Sequence, residues 1–197
     1  FLAYCSVEHI GIITLGLGLG VPGTFAALFH TLNHSVSKSL AFFSAGRLGQ
    51  AVGTHNIDRM SGSIRISPVW GIGAFASIMI LIGMAPFSVF ISEFQMLKAA
   101  VDADRLLVVF TFLAGTGIIF VGALRYAITI GFGQSADNFT HIPYRKIDAF
   151  LVAAPLAVLL ILGLWMPQSF QAALLRAARI VQTVSTTLPL QQLPGGR

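Results

Sequence analysis

The sequence is short of charge and of cysteine, and each shortage excludes a class of protein. Only 10% of the 197 residues are Asp, Glu, Lys or Arg, where a soluble domain carries about a quarter. The single cysteine, Cys5, excludes an intramolecular disulfide and any cysteine-rich metal site. The 12 basic residues outnumber the 7 acidic ones, but they are scattered. No run tracks a phosphate backbone, so nucleic acid is not an expected partner. What remains is apolar: 55% of the chain is hydrophobic and the mean hydropathy is +0.83. The expected solvent is a lipid bilayer. The chain opens at Phe1 inside an apolar stretch, without an initiator methionine or a signal-peptide pattern. It is expected to be a piece of a longer protein.

Hydrophobic patterning predicts an all-α, polytopic transmembrane bundle of about five spans. The first is Leu2–Gly20, and Val21-Pro22-Gly23 reads as a tight turn. The second, about Thr24–Gly46, is followed by a polar connector, Arg47–Ser67. The third region, Pro68 to about Ala100, would reach about 50 Å as one straight helix, against a roughly 30 Å hydrocarbon core. Gly83-Met84-Ala85-Pro86 lies in its middle, and proline both lacks an amide and clashes with the preceding turn. A discontinuous helix broken at Gly83 and Pro86 is therefore expected. The fourth span is about Leu106–Phe132 and the fifth Ala149–Trp165. Residues 1–167 form the expected membrane domain, and 168–197 a polar or interfacial tail. In that tail Phe170, Leu174, Leu175 and Ile180 oppose Arg176 and Arg179. The basic residues divide evenly between the two sides of such a bundle, so charge asymmetry sets no orientation.

Within the second span, His30, His34 and Lys38 recur every four residues. At 3.6 residues per turn all three share one helix face, climbing about 6 Å per step. Ionisable groups at bilayer depth cost roughly 2.5–3.5 kcal/mol each, so three in register point to a path for water, protons or ions. The bland alternative is a structural hydrogen-bond cluster, or Lys38 reaching an interface. Glu93 follows the proline break, where freed carbonyls line protein or water rather than lipid. Its bland reading, a partner for Lys98, suffers from the poor i,i+5 spacing. Glu8 and His9 point about 100° apart, so they serve different neighbours. Glu8 is expected to counter a cation outside this sequence. Glu8, His9 and Arg125 are possible relay residues or structural ones, with Arg125 the more structural. His55 and His141 fall in connectors and read as solvated.

Two lookalikes are set aside. Gly16-Leu17-Gly18-Leu19-Gly20 ends an apolar helix instead of joining a strand to one, so it reads as a close helix approach rather than a dinucleotide loop. His30 and His34 have zincin spacing but lack the adjacent glutamate and a third ligand, and no metal is expected. No nucleophile–base constellation is present.

Three segments carry a family resemblance: Ala3-Tyr4-Cys5-Ser6-Val7-Glu8-His9-Ile10-Gly11, Phe29-His30 through Asn33-His34 to Lys38-Ser39-Leu40-Ala41-Phe42-Phe43, and Gly83-Met84-Ala85-Pro86-Phe87 through Ser92-Glu93-Phe94. With these motifs the chain resembles the proton-pumping antiporter-like membrane subunits of respiratory complex I, Mrp-type cation/proton antiporters and membrane-bound hydrogenases. The Glu8-His9 pair and Ser92-Glu93-Phe94 look most like the F subunit of hydrogenase-4 and its formate-hydrogenlyase relatives. The resemblance implies about fourteen core helices in two inverted repeats. This chain would hold the last five and lack the N-terminal half. It further implies that Lys38 is the central lysine of a proton relay, with His30 and His34 its hydrated neighbours and Glu93 its terminal carboxylate. The partners would be other membrane-arm subunits and a peripheral redox module, a hydrogenase or a dehydrogenase. The location would be the inner (plasma) membrane, multi-pass. No cofactor is expected in this chain, which would be a non-catalytic, proton-translocating subunit of an oxidoreductase complex. The alternatives are a Na⁺/H⁺ antiporter subunit of the Mrp type and a non-pumping structural subunit.

Overall fold

A computed structural model describes residues 2–134 and 144–187. Among the described residues there is no strand. The helices are α1 (Leu2–Leu17), α2 (Gly20–Val52), α3 (Ser63–Ile66), α4 (Pro68–Leu81), α5 (Ser88–Asp102), α6 (Leu106–Phe132), α7 (Lys146–Leu164) and α8 (Gln168–Thr187), with a 3₁₀ turn at Asp58–Met60. His141 and the chain beyond residue 187 lie outside the described residues.

The 33-residue α2 is the axis of the bundle, packed by α1, α4, α5, α7 and α8. It starts earlier and ends later than the polarity pattern predicts. The turn is not at Val21-Pro22-Gly23 but at Gly18-Leu19, with Gly20 at φ +69°, a backbone state open to glycine at little cost. Pro22 then sits in the first turn of α2, where its missing amide has no helical partner to lose. The glycine-rich end of α1 does allow close approach: a side chain at Gly16 would meet Ala27 Cβ and Met96 Sδ, each at 3.0 Å. At the other end the connector begins six residues late, because α2 runs through Gly46 and Arg47 to Val52.

The core is where α2, α4, α6 and α7 meet, through Leu40, Leu48, Trp70, Ile78, Ala127 and Val152. By length and composition α6 and α7 are able to cross a membrane, while α1 and α4 are shorter apolar helices. The outer face of α6 exposes Leu107, Phe110, Ile118 and Val121, an outward apolar surface that suits lipid rather than water.

The expected break is present. Helix α4 stops at Leu81 and α5 starts at Ser88, with Gly83 at φ +73° and Phe87 extended. Protein packs against its two ends, while Met84, Ala85 and Pro86 between them are exposed. Asn33 Nδ2 of α2 donates to Ser88 C=O at 3.0 Å, and the Pro86 carbonyl packs against Gly163 of α7. Ile80, Val89 and Leu159 fill the space around it.

The tail helix α8 lies along α2, with Leu174 and Ala178 buried and Phe29 meeting Phe170 edge to face. Gln182 ties it to the α1–α2 turn through Leu17 C=O and Thr24 Oγ1. Ile180, expected on the apolar face, is exposed instead.

Candidate functional site

Three helices deliver ionisable side chains to one buried place. From α2, the four-residue repeat turns His30, His34 and Lys38 inward: His30 is fully buried, Lys38 buried and His34 half-buried. From α1, Cys5, Glu8 and His9 share one face at steps of three and four, and their ligand atoms lie within 4.8 Å of one another. From the first turns of α5 come Ser92 and Glu93, placed by the helix break.

His9 and His30 join the helices. His9 Nδ1 and His30 Nε2 are 2.8 Å apart, and His30 Nδ1 lies 2.9 Å from Ser92 Oγ, which donates to Val89 C=O at 2.7 Å. The His34 ring packs 4.3 Å from that of His9, centroid to centroid. His9 Nε2 and His34 Nδ1 are buried without an aligned hydrogen-bond partner.

Lys38 ends the α2 stripe. Its Nζ donates to the Leu2 carbonyl and lies 5.8 Å from the Phe42 ring centroid.

Glu93 occupies the other end. Its carboxylate lies against Gly83, and ligand atoms of Glu93, His9 and His30 all fall within 4.8 Å of one another. Glu93 also borders a cavity of about 310 Å³ between α5 and α6, with Phe112, Thr116 and Phe120 on its far wall. Lys98 does not reach it, because Lys98 pairs with Asp102 at 2.5 Å.

His30 therefore gains its companions from α1 and α5 rather than from His34. His9, His30 and Glu93 together offer a cation three ligand atoms within 4.8 Å of one another. Arg125 is exposed on α6, and His55 is exposed after α2; neither joins the cluster. Sequence reasoning missed two members. Cys5 shares the i,i+3 and i,i+4 spacing of Glu8 and His9, a signal that was available. Ser92 had no periodic signal.

The family described as NADH:quinone oxidoreductase/Mrp antiporter, transmembrane, matches residues 1–119, which contain all of this cluster. A hydrogenase-4 component F homolog of Methylacidiphilum infernorum is 37% identical over 75% of this chain and 31% of its own length. Two solved structures share the fold at 23% identity. Respiratory complex I from Thermus thermophilus has a TM-score of 0.76, over 93% of this chain and 38% of that one. The Mrp complex from Dietzia sp. has a TM-score of 0.73, over 94% and 43%. The chain thus spans between 31% and 43% of the length of these relatives. With more than half its length matched by the family and its fold shared with two membrane complexes, the chain belongs to the NADH:quinone oxidoreductase/Mrp antiporter transmembrane family.

Proposed function

We propose that this chain is the C-terminal repeat of a membrane subunit of a redox-driven ion pump, of the hydrogenase-4/formate hydrogenlyase or NADH:quinone oxidoreductase type. The relay runs through Lys38, His34, His30 and Glu93, with Glu8 and His9 beside it. One observation carries this reading: helices α1, α2 and α5 converge their ionisable groups on one buried cluster, beside a helix break. Such groups are costly in a bilayer and mark ion or proton paths. Discontinuous helices mark the same places in transporters.

In this reading there are five spans: α1, α2, α4 with α5, α6 and α7. At 14 and 15 residues, α4 and α5 are each about 20 Å long and share the third crossing as half-helices. Residues 1–167 are the membrane domain and α8 is its lateral attachment. The N-terminal repeat, the other membrane-arm subunits and a peripheral redox module are supplied by the rest of the assembly, in the inner membrane. This chain moves protons by hopping between side chains and carries no redox centre of its own.

The likeness to the Mrp complex favours a second reading, a Na⁺/H⁺ antiporter subunit, because a buried carboxylate such as Glu93 serves either ion. The test is ion movement by the complete complex in inverted vesicles. Redox turnover that acidifies the lumen at the same rate with and without Na⁺ supports the pump. Proton movement that needs a Na⁺ gradient and no electron donor supports the antiporter, and neither movement overturns both.

A further inference from the structure

Away from the buried cluster, hydrogen-bond donors converge at the far end of α2. Arg47 lies about 14 Å beyond Lys38 along the helix axis. Its Nη1 donates to Gln50 Oε1 at 3.3 Å, and its guanidinium stands 5.8 Å from the centroid of the buried Trp70 ring. Trp70 belongs to the first turn of α4, and Ser67 is the residue on which that helix starts. Arg47, Gln50, Ala51, Ser67 and Trp70 line a cavity of about 220 Å³, several times the roughly 30 Å³ that a water molecule takes up in the liquid. Among the described residues no acidic side chain lines it.

The donors around this cavity are uncommitted. A serine at the start of a helix usually turns its oxygen onto an amide of the first turn. Ser67 does not: its side chain is 1% exposed, it caps nothing, and its Oγ is buried without a partner among the described residues. A buried hydroxyl in that state is costly and calls for a ligand. Pro68 has no amide, and the first α4 amide to meet a carbonyl is that of Gly71, to Ser67 C=O at 2.7 Å. The Val69 and Trp70 amides therefore have no carbonyl within the helix, and they carry the positive end of the 14-residue α4. The same end of the bundle, where α2 and α6 finish and α4 and α7 begin, holds Arg59, Arg65, Arg145 and Lys146 against Asp58 and Asp148.

We propose that this cavity binds a phosphate group, either that of an anionic phospholipid or free phosphate. The Arg47 guanidinium, held over Trp70, offers a two-pronged donor. Ser67 Oγ–H adds a third donor and the open amides of α4 the rest. A carboxylate, with two oxygens in one plane, is too small to meet all of them, whereas a tetrahedral oxyanion meets them from several sides. Helix α4, read above as a half-helix, starts at the membrane surface, which is the depth of a lipid phosphate. No relay residue takes part, so the site stands or falls apart from the proton path.

The test is thermal unfolding of the complete complex, stripped of lipid in a neutral detergent. One arm is titrated with phosphatidylglycerol, the other with inorganic phosphate against chloride at equal ionic strength. The parent midpoint is expected to rise, because a ligand that binds only the folded state stabilises it. A rise with phosphatidylglycerol alone assigns the lipid headgroup, and a rise with phosphate assigns the free ion. Arg47→Gln and Ser67→Ala are each expected to raise the half-effective concentration about tenfold or more. Ser67→Ala removes a hydroxyl whose oxygen has no partner, so without ligand its midpoint should match or exceed the parent's. That separates lost binding from lost folding. No rise in either arm overturns the site. Equal rises in the parent and both variants put the binding elsewhere and overturn it too. A loss with Arg47→Gln alone makes Arg47 an ordinary surface cation, with the same result.

Discussion

Gly83 and Glu93 are in contact across the helix break. The Glu93 carboxylate occupies the space where a side chain at residue 83 would stand, and Gly83 holds φ +73°. The glycine thus does two things at once: it lets the chain turn out of α4, and its missing side chain leaves room for the carboxylate beside the histidines.

Gly83→Ala is therefore expected to displace Glu93 and lower proton uptake, beyond any loss of stability. Backbone strain at positive φ costs about 1 kcal/mol or more, so a control must share it. Gly53 does, at φ +71° with nothing within 4 Å of an added Cβ. At equal membrane content, Gly83→Ala should pump poorly and Gly53→Ala normally. If the two variants pump alike, the contact has no role in placing Glu93.

Lys38→Ala is expected to reduce proton translocation while the protein remains inserted and assembled. Removing a buried ammonium relieves a desolvation cost rather than creating one. What is lost is one bond to the Leu2 carbonyl, on which Ser6 Oγ also lies at 3.4 Å. Membrane content by immunoblot and proton uptake in vesicles separate the outcomes. A variant that does not accumulate would make Lys38 structural.

The helix break and the α2 stripe were legible because each rests on local chemistry: a glycine and a proline inside an apolar run, and ionisable residues four apart. The start of α2 was misread because proline breaks a helix interior but not its first turn, and only the structure shows which position Pro22 holds. The end of α2 was misread because Gly46 and Arg47 resemble a connector, while Arg47 lies over Trp70 of α4 and Leu48 is buried in the core with it. The contacts that assemble the site were illegible. His9 meets His30 across 21 residues and His30 meets Ser92 across 62, and no periodicity within one helix encodes either distance.

Gly163 is where α7 closes over the break, and Gly163→Val is expected to loosen it. A Cβ there would stand 2.8 Å from Phe87 C and Ser88 N, and closer still to Pro86 O. Those are backbone atoms that cannot swing away, so overpacking of about 1–3 kcal/mol is expected. Thermal unfolding in detergent should drop for Gly163→Val and stay near the parent for Gly122→Ala, where α6 has open space. An unchanged midpoint for Gly163→Val would mean that α7 does not brace the break.

The last prediction turns on whether Glu93 must release a proton. Glutamine keeps the length and the hydrogen-bonding capacity of the side chain beside Gly83, but it has no ionisable proton. Aspartate keeps the proton and gives up one methylene of reach toward the ring nitrogens of His9 and His30, which lie within 4.8 Å of the carboxylate. For a relay residue, Glu93→Gln is the damaging change, by about a hundredfold or more in proton uptake. Glu93→Asp should lose far less, because one water can bridge the added distance. For a purely structural carboxylate the order reverses: glutamine is tolerated, and aspartate loses its contact with Gly83. Proton uptake by inverted vesicles of the complete complex, compared at equal assembly, reads the order directly. Parent-like uptake by Glu93→Gln would remove Glu93 from the path, and with it the acceptor to which the histidines deliver.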